Sequence, residues 1–170
     1  TLITHEVNEM EQPLIAGIAY NRDEAKLTIR GVPDRPGVAS TIFGQISDAH
    51  VNVDMIIQNV AQDGTTDLTF TVNRSEYKHA RSILEKISTQ LKAREVVGDD
   101  QLAKISIVGV GMRSHAGIAS TMFEAMATEG INIELISTSE IKISIGVADR
   151  YAELAVRALH KAFGLDVQTH

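Results

Sequence analysis

The chain has 170 residues, 44% of them apolar, with 16 Lys and Arg against 22 Asp and Glu and a formal net charge of -6 at pH 7. That composition is ordinary for a folded globular protein, and the acidic balance argues against nucleic acid or an anionic membrane as the main partner. No run approaches the roughly 18–20 apolar residues that span a bilayer, no signal peptide is visible, and the lack of cysteine excludes disulfides and thiolate zinc sites and fits a reducing cytoplasm.

Residues 1–13 are polar and patternless up to Pro13 and read as a linker; Thr1 standing where an initiator Met would be expected points to a fragment or a processed subunit. Leu14 to Tyr20 is short and apolar, a strand, and Asn21 to Ala25 has the composition of a turn. Lys26-Leu27-Thr28-Ile29-Arg30 alternates with period two, as a half-buried strand does. Gly31-Val32-Pro33-Asp34-Arg35-Pro36-Gly37 is a loop. From Val38 the apolar spacing (Val38, Ile42, Phe43, Ile46, Ala49) becomes helical, and Pro36 and Gly37 suit the start of a helix. Val51 to Val60 is β-branched-rich. Gln62-Asp63-Gly64-Thr65 carries a hairpin signal, and Leu68, Phe70 and Val72 alternate on the returning strand. Asn73 with Glu76 resembles a capping box for a helix whose stripe is Tyr77, Ala80, Leu84, Ile87 and Leu91. Ala93 to Val97 reads as a last short strand, with Gly98-Asp99-Asp100 closing the unit.

The pattern then begins again. Pro36-Gly37-Val38-Ala39-Ser40-Thr41-Ile42-Phe43 returns 80 positions on as Ala116-Gly117-Ile118-Ala119-Ser120-Thr121-Met122-Phe123, and Val51-Asn52-Val53-Asp54 falls on Ile131-Asn132-Ile133-Glu134. An internal repeat speaks first to architecture. The second copy predicts a strand from Lys104 to Gly109, a helix starting near Gly117, a strand from Ile131 to Ile136 and an alternating strand through Ile141, Ile143, Ile145 and Val147. It closes with a helix capped by Asp149 and faced by Leu154, Ala155, Ala158, Leu159 and Phe163. The first unit is βαββαβ, the ferredoxin-like plan, while the second lacks a strand, because Gly164 to His170 is too short and polar. The orphan strand at 14–22 can complete it. The prediction is an α+β protein of two ferredoxin-like domains, each an antiparallel sheet with helices on one face, the first (23–100) inserted in the second (14–22 with 101–170).

Catalytic motifs are missing. Gly109-Val110-Gly111 breaks as a dinucleotide fingerprint at Ser114, there is no phosphate-binding GxxxxGK[ST] loop, and the six histidines (His5, His50, His79, His115, His160, His170) lack metal-ligand spacing. Ser114 and His115 are neighbours in sequence, which is not a nucleophile–base geometry. The strands lack the stacking aromatics of an RNA-binding domain. Neither catalytic residue, metal nor cofactor is expected. Each repeat does join a strand to a helix N-terminus through a Gly-bearing loop, where unpaired N–H groups favour a carboxylate. Gly37 and Gly117 permit close approach, and Asp34 can pair with a cation. Such a cradle suits a zwitterion, although Pro-Asp-x-Pro-Gly is also simply a good turn and helix start.

At these residues a family becomes recognisable. Gly31 to Gly37 resembles the signature loop of ACT domains, small modules that bind amino acids. More narrowly, Val53 to Val60, Lys104 to His115, Asn132 to Ile141 and Arg157 to Phe163 resemble the aspartokinase regulatory region over roughly residues 14 to 166. The amino-acid kinase domain of that family is absent, so the chain is similar to an aspartokinase β subunit or excised C-terminal part, and it is not expected to be catalytic alone. The resemblance implies the same insertion of the first ACT domain in the second. It also implies a homodimer pairing the first unit of one chain with the second of the other, and partnership with an aspartokinase catalytic domain or α subunit. It implies threonine at the junction, lined by Asp34, Gly37, Val38, Ala39 and Gln58 and closed by Asn132 and Ile133 of the partner unit. A second site, for lysine or threonine, would combine Met112, Ser114, His115, Gly117 and Ala119 with Asn52, Val53 and Asp54. There Asp34 has no counterpart, since the repeat puts Ser114 in its place, so Asp54 or Glu134 would supply the negative charge. Ser137 to Glu140 resembles a segment tied to feedback control, and Gly146 stands where family members usually carry a larger aliphatic residue. Two other readings remain: a dimerisation module with little effector response, and an ACT pair serving another enzyme or a transcription factor.

Overall fold

The computed structural model describes residues 14–110 and 115–165; the expected linker over 1–13, Met112 and Ser114 lie outside them. The elements in order are β1 (Leu14–Pro33), α1 (Val38–Asp48), β2 (Val53–Val60), β3 (Thr65–Asn73), α2 (Tyr77–Leu91), β4 (Glu95–Val110), α3 (His115–Thr128), β5 (Leu135–Thr138), β6 (Lys142–Ala148) and α4 (Ala152–Ala162). Short 3₁₀ turns at Arg74–Glu76 and Asp149–Tyr151 lead into α2 and α4. The chain forms two compact units. Asp23–Leu102 makes one, and the chain up to Arg22 together with the chain from Ala103 makes the other. They are two ferredoxin-like α+β folds, the first inserted in the second. Strand order is β2-β3-β1-β4 in the inserted unit and β1-β4-β6-β5 in the enclosing one.

Several boundaries differ from those expected, and Gly31 to Pro33, expected in a loop, ends β1. Asn21 to Ala25 is not a turn: Glu24 and Ala25 register with Asn73 and Val72 of β3, and Ala25 is fully buried. Ladder hydrogen bonds here override a polar composition. Gly98-Asp99-Asp100 likewise does not end a unit but lies inside β4. Gly98 serves close approach: a Cβ there would collide with the Tyr77 hydroxyl, which accepts a hydrogen bond from Arg81 Nη1 at 2.7 Å.

In the inserted unit α1 lays Val38, Ile42 and Ile46, and α2 lays Ala80, Leu84 and Ile87, on Leu27, Ile29, Leu68, Phe70 and Val72 of the sheet. Phe43 meets Phe70 edge-on, with ring centroids 5.7 Å apart, an arrangement aromatic pairs prefer. In place of the expected capping box, Asn73 Oδ1 accepts from the Ser75 amide at 3.0 Å and caps the 3₁₀ turn, while Glu76 is the N-cap of α2. In the enclosing unit Ile118, Met122 and Met126 of α3 and Ala152, Ala155 and Leu159 of α4 pack on Ile105, Ile107, Ile143, Ile145 and Val147. Ile141, expected in that alternation, precedes β6 and is 55% exposed.

The chain after α3 also departs from expectation. The strand predicted over Ile131 to Ile136 is only Leu135–Thr138, because the Ile131 amide is used to close α3, donating to Met126 O at 2.8 Å. Gly130 makes that closure with φ 70°, and at the equivalent end of α1 His50 does so with φ 60°. Asp149 does not cap α4 but opens the preceding 3₁₀ turn, and Tyr151 occupies the N-cap.

Candidate functional site

The first candidate site grows from the end of β1. Pro33 registers with Thr65 of β3, and the Asp34 amide donates to Gly64 O at 2.9 Å, which ties the loop to the β2–β3 hairpin. The chain then turns through Gly37, the N-cap of α1, with φ 92° and ψ −13°. A side chain is strained at that φ, and nothing lies within 4 Å of where its Cβ would be, so the approach to Gly37 is open. No side chain caps α1, so the amides of Ala39 and Ser40 in its first turn are offered outward with the positive end of the helix dipole. Val38 is buried and anchors the helix, whereas Asp34 and Ala39 are exposed. The Thr41 hydroxyl bonds back to Gly37 O at 3.0 Å and steadies the turn. At the hairpin, Asp63 is held below the usual carboxylate range by hydrogen bonds from the Thr65 hydroxyl and amide, with Arg94 adding attraction.

Gln58 lies at the same end of the sheet. A β-bulge between Val53 and Ile56 sets the register so that Ile56 opposes Phe70, Gln58 opposes Leu68 and Val60 opposes Thr66. Opposed residues share a face, so Gln58 shares the face of Leu68 and Phe70 on which the helices pack, and on this edge strand it is itself exposed, as are Ile56 and Val60. Its Nε2 donates to Thr66 Oγ1 at 3.2 Å. β2 is the last strand on its side of the inserted unit. It leaves Ile56 and Val60 55% and 64% exposed. Asp34, Gly37, Val38, Ala39 and Gln58 therefore all belong to the inserted unit. Asn132 and Ile133 belong to the other unit, where they form the irregular approach to β5. Asn132 is exposed, and Ile133 is half-buried against that unit's core.

Of the second candidate set, Asn52, Val53 and Asp54 line a shallow depression of about 300 Å³ together with Glu24 and Asn73. Glu24 is buried, and sequence reasoning missed it because it falls where a turn was expected. Gly117 and Ala119 lie in the first turns of α3, which begins two residues ahead of the expected start, at His115. Gly117 is thus inside its helix while Gly37 caps one. The hydroxyl of Thr121 still bonds Gly117 O at 3.1 Å, as Thr41 does Gly37. Among the described residues no helix is long and apolar enough to cross a membrane, and no three His, Cys, Asp or Glu side chains gather as metal ligands.

Comparison with known proteins places both units. Residues 27–89 and 105–163 each match a model described as an ACT domain. The aspartate kinase of Pseudomonas putida is 66% identical over 98% of this chain and 41% of its own length. The chain thus spans about two fifths of the length of the curated relatives it matches. The crystal structure of aspartokinase alpha and beta subunits contains a chain 51% identical, with a TM-score of 0.83 over 89% of this chain and 99% of that one. The regulatory subunit of aspartate kinase from Thermus flavus is 38% identical, with a TM-score of 0.81 over 88% of this chain and 99% of that one.

Proposed function

The chain belongs to the aspartokinase family as a regulatory region of two ACT domains, and we propose that it senses free threonine, with lysine at the related second site, for feedback inhibition of an aspartokinase. The observation that carries this is the uncapped start of α1 beside Asp34. Helix-end amides suit a carboxylate, an exposed Asp suits an ammonium, and Gln58 on the same side of the sheet suits a hydroxyl. The lid is Asn132 and Ile133 from the enclosing unit of a second chain. Support for that pairing comes from the two outermost strands: β2 exposes Ile56 and Val60, and β5 exposes Ile136, and uncovered apolar edges of this kind are places where strands add. At the second site, Asp54 and Glu24 in the depression suit the side-chain ammonium of lysine. Inhibition follows only if the effector binds one of two dimer arrangements more tightly than the other. The regulated reaction is the phosphorylation of aspartate by the catalytic domain or α subunit in the cytoplasm.

Calorimetric titration with threonine and with lysine is the test. Heat of binding and a raised melting temperature are expected for threonine, and Asp34→Ala should weaken its binding about tenfold or more while leaving the fold intact, as loss of a charge-assisted contact does. Silence at millimolar concentrations of both amino acids would instead favour a module that only holds kinase chains together.

A further inference from the structure

Thr66 is the least exposed polar group at the first site, with 2% of its surface accessible. Its hydroxyl has one proton, and it is committed: Oγ1 donates to the carbonyl oxygen of Asn59 at 3.0 Å. Toward Gln58, whose side-chain nitrogen lies 3.2 Å away, the same oxygen can therefore only accept. The reverse setting of the Gln58 amide would set oxygen against oxygen with no proton between them. Asn59 O is fixed in turn by its strand, because Asn59 opposes Asp67 and Val60 opposes Thr66 in the β2–β3 ladder. Donation runs from the Gln58 amide nitrogen to the Thr66 hydroxyl and from that hydroxyl to the Asn59 carbonyl, using one of the two Nε2 protons.

From this we infer that Thr66 is a positioning residue: it locks the Gln58 carboxamide with its nitrogen inward and its carbonyl oxygen turned to the ligand, making that oxygen an acceptor for a side-chain hydroxyl. This deepens the proposed sensing of threonine and rests on it. The amide oxygen rewards a ligand that brings a donor, and an isosteric ligand with a methyl there leaves it unmatched. A hydrogen-bond partner read in this way discriminates far better than a methylene does. Gln58 then supplies selectivity among amino acids, while the α1 amides and Asp34 bind the part they all share.

Two substitutions separate this from a packing role. Thr66→Val keeps the branched shape and removes the hydroxyl, and Thr66→Ser keeps the hydroxyl and removes the methyl. Titrating the whole chain with threonine and with 2-aminobutyrate, which is threonine without its hydroxyl, should show Thr66→Val losing about tenfold in threonine affinity, the size of one net hydrogen bond. The same variant should bind 2-aminobutyrate within about twofold of the unsubstituted chain, and Thr66→Ser should restore threonine binding. Equal losses for both ligands, no loss for either, or failure of Ser to restore would overturn the inference. A ligand-free arm keeps it distinct from the sensing proposal: the Gln58 side-chain amide resonances should move in Thr66→Val and stay in place in Thr66→Ser. Unmoved resonances in Thr66→Val would overturn the orientation. Moved resonances in a chain that binds neither amino acid would uphold the orientation and refute the sensing.

Discussion

Adding a single methyl at Gly146 should destabilise the enclosing unit. Gly146 sits in β6 opposite Leu135 of β5, and the Glu134 amide donates to Gly146 O at 2.8 Å, so neither strand can step aside without breaking its ladder. A Cβ at 146 would lie 2.6 Å from Leu135 Cγ, 3.0 Å from Cδ1 and 3.2 Å from Cδ2. Leu135 is only 6% exposed, so its side chain must leave its rotamer inside a packed surround. Overpacking of this kind costs about 1–3 kcal/mol, while replacing Gly by Ala in a strand returns about 0.5–1 kcal/mol of chain entropy. With a 2.6 Å approach the cost falls in the upper half of that range, so Gly146→Ala should destabilise by a net of about 1–2.5 kcal/mol. For a unit of this size that lowers the melting temperature by about 5–15 °C, which differential scanning calorimetry reads. Leu135→Ala alone should also destabilise, by about 2–4 kcal/mol. In the double variant the two losses should fall short of their sum by at least about 0.5 kcal/mol, because the smaller side chain leaves room for the new methyl. A neutral Gly146→Ala, or strictly additive losses, would refute the steric account of why glycine stands here.

Three other outcomes follow from the structure. His50 closes α1 with φ 60°, where the repeat has Gly130 at φ 70°, so His50→Gly should stabilise by about 1 kcal/mol in a denaturant titration. A chain beginning after Arg22 removes the β1 segment from the enclosing unit, and its amides from Ala103 onward should lose hydrogen-exchange protection while those of Asp23–Leu102 keep theirs; retained protection in both would contradict the shared use of β1. Ile136→Lys on β5 should shift the chain toward monomer in analytical ultracentrifugation, since a charge on an edge strand opposes pairing, and an unchanged sedimentation coefficient would count against dimerisation through that edge.

The repeat, the βαββαβ plan and α1 were legible in the sequence because they are written in local terms: apolar spacing along Val38, Ile42 and Ile46, and glycine where the chain must bend. The long strands were not, because Asn21 to Ala25 and Gly98 to Asp100 carry turn-like residues whose conformation is set by pairing partners tens of residues away. Gly98 has the composition of a turn, yet its missing Cβ serves to let Tyr77 approach. Asp34, Gly37, Val38 and Ala39 could be grouped from the sequence because they fall within one stretch of six residues. What the sequence could not show is which way Gln58 faces, because that depends on the bulge between Val53 and Ile56. Nor could it show Thr66, whose importance lies in a hydroxyl committed to Asn59 O, or Glu24 beside Asn52 and Asp54.

Where the effector lodges is decided by a crystal structure of the chain grown with threonine. The carboxylate is expected on the amides of α1's first turn, the ammonium near Asp34, and Asn132 and Ile133 of a second copy across the ligand. Threonine bound elsewhere, or an α1 N-terminus left empty at saturating threonine, would contradict that placement.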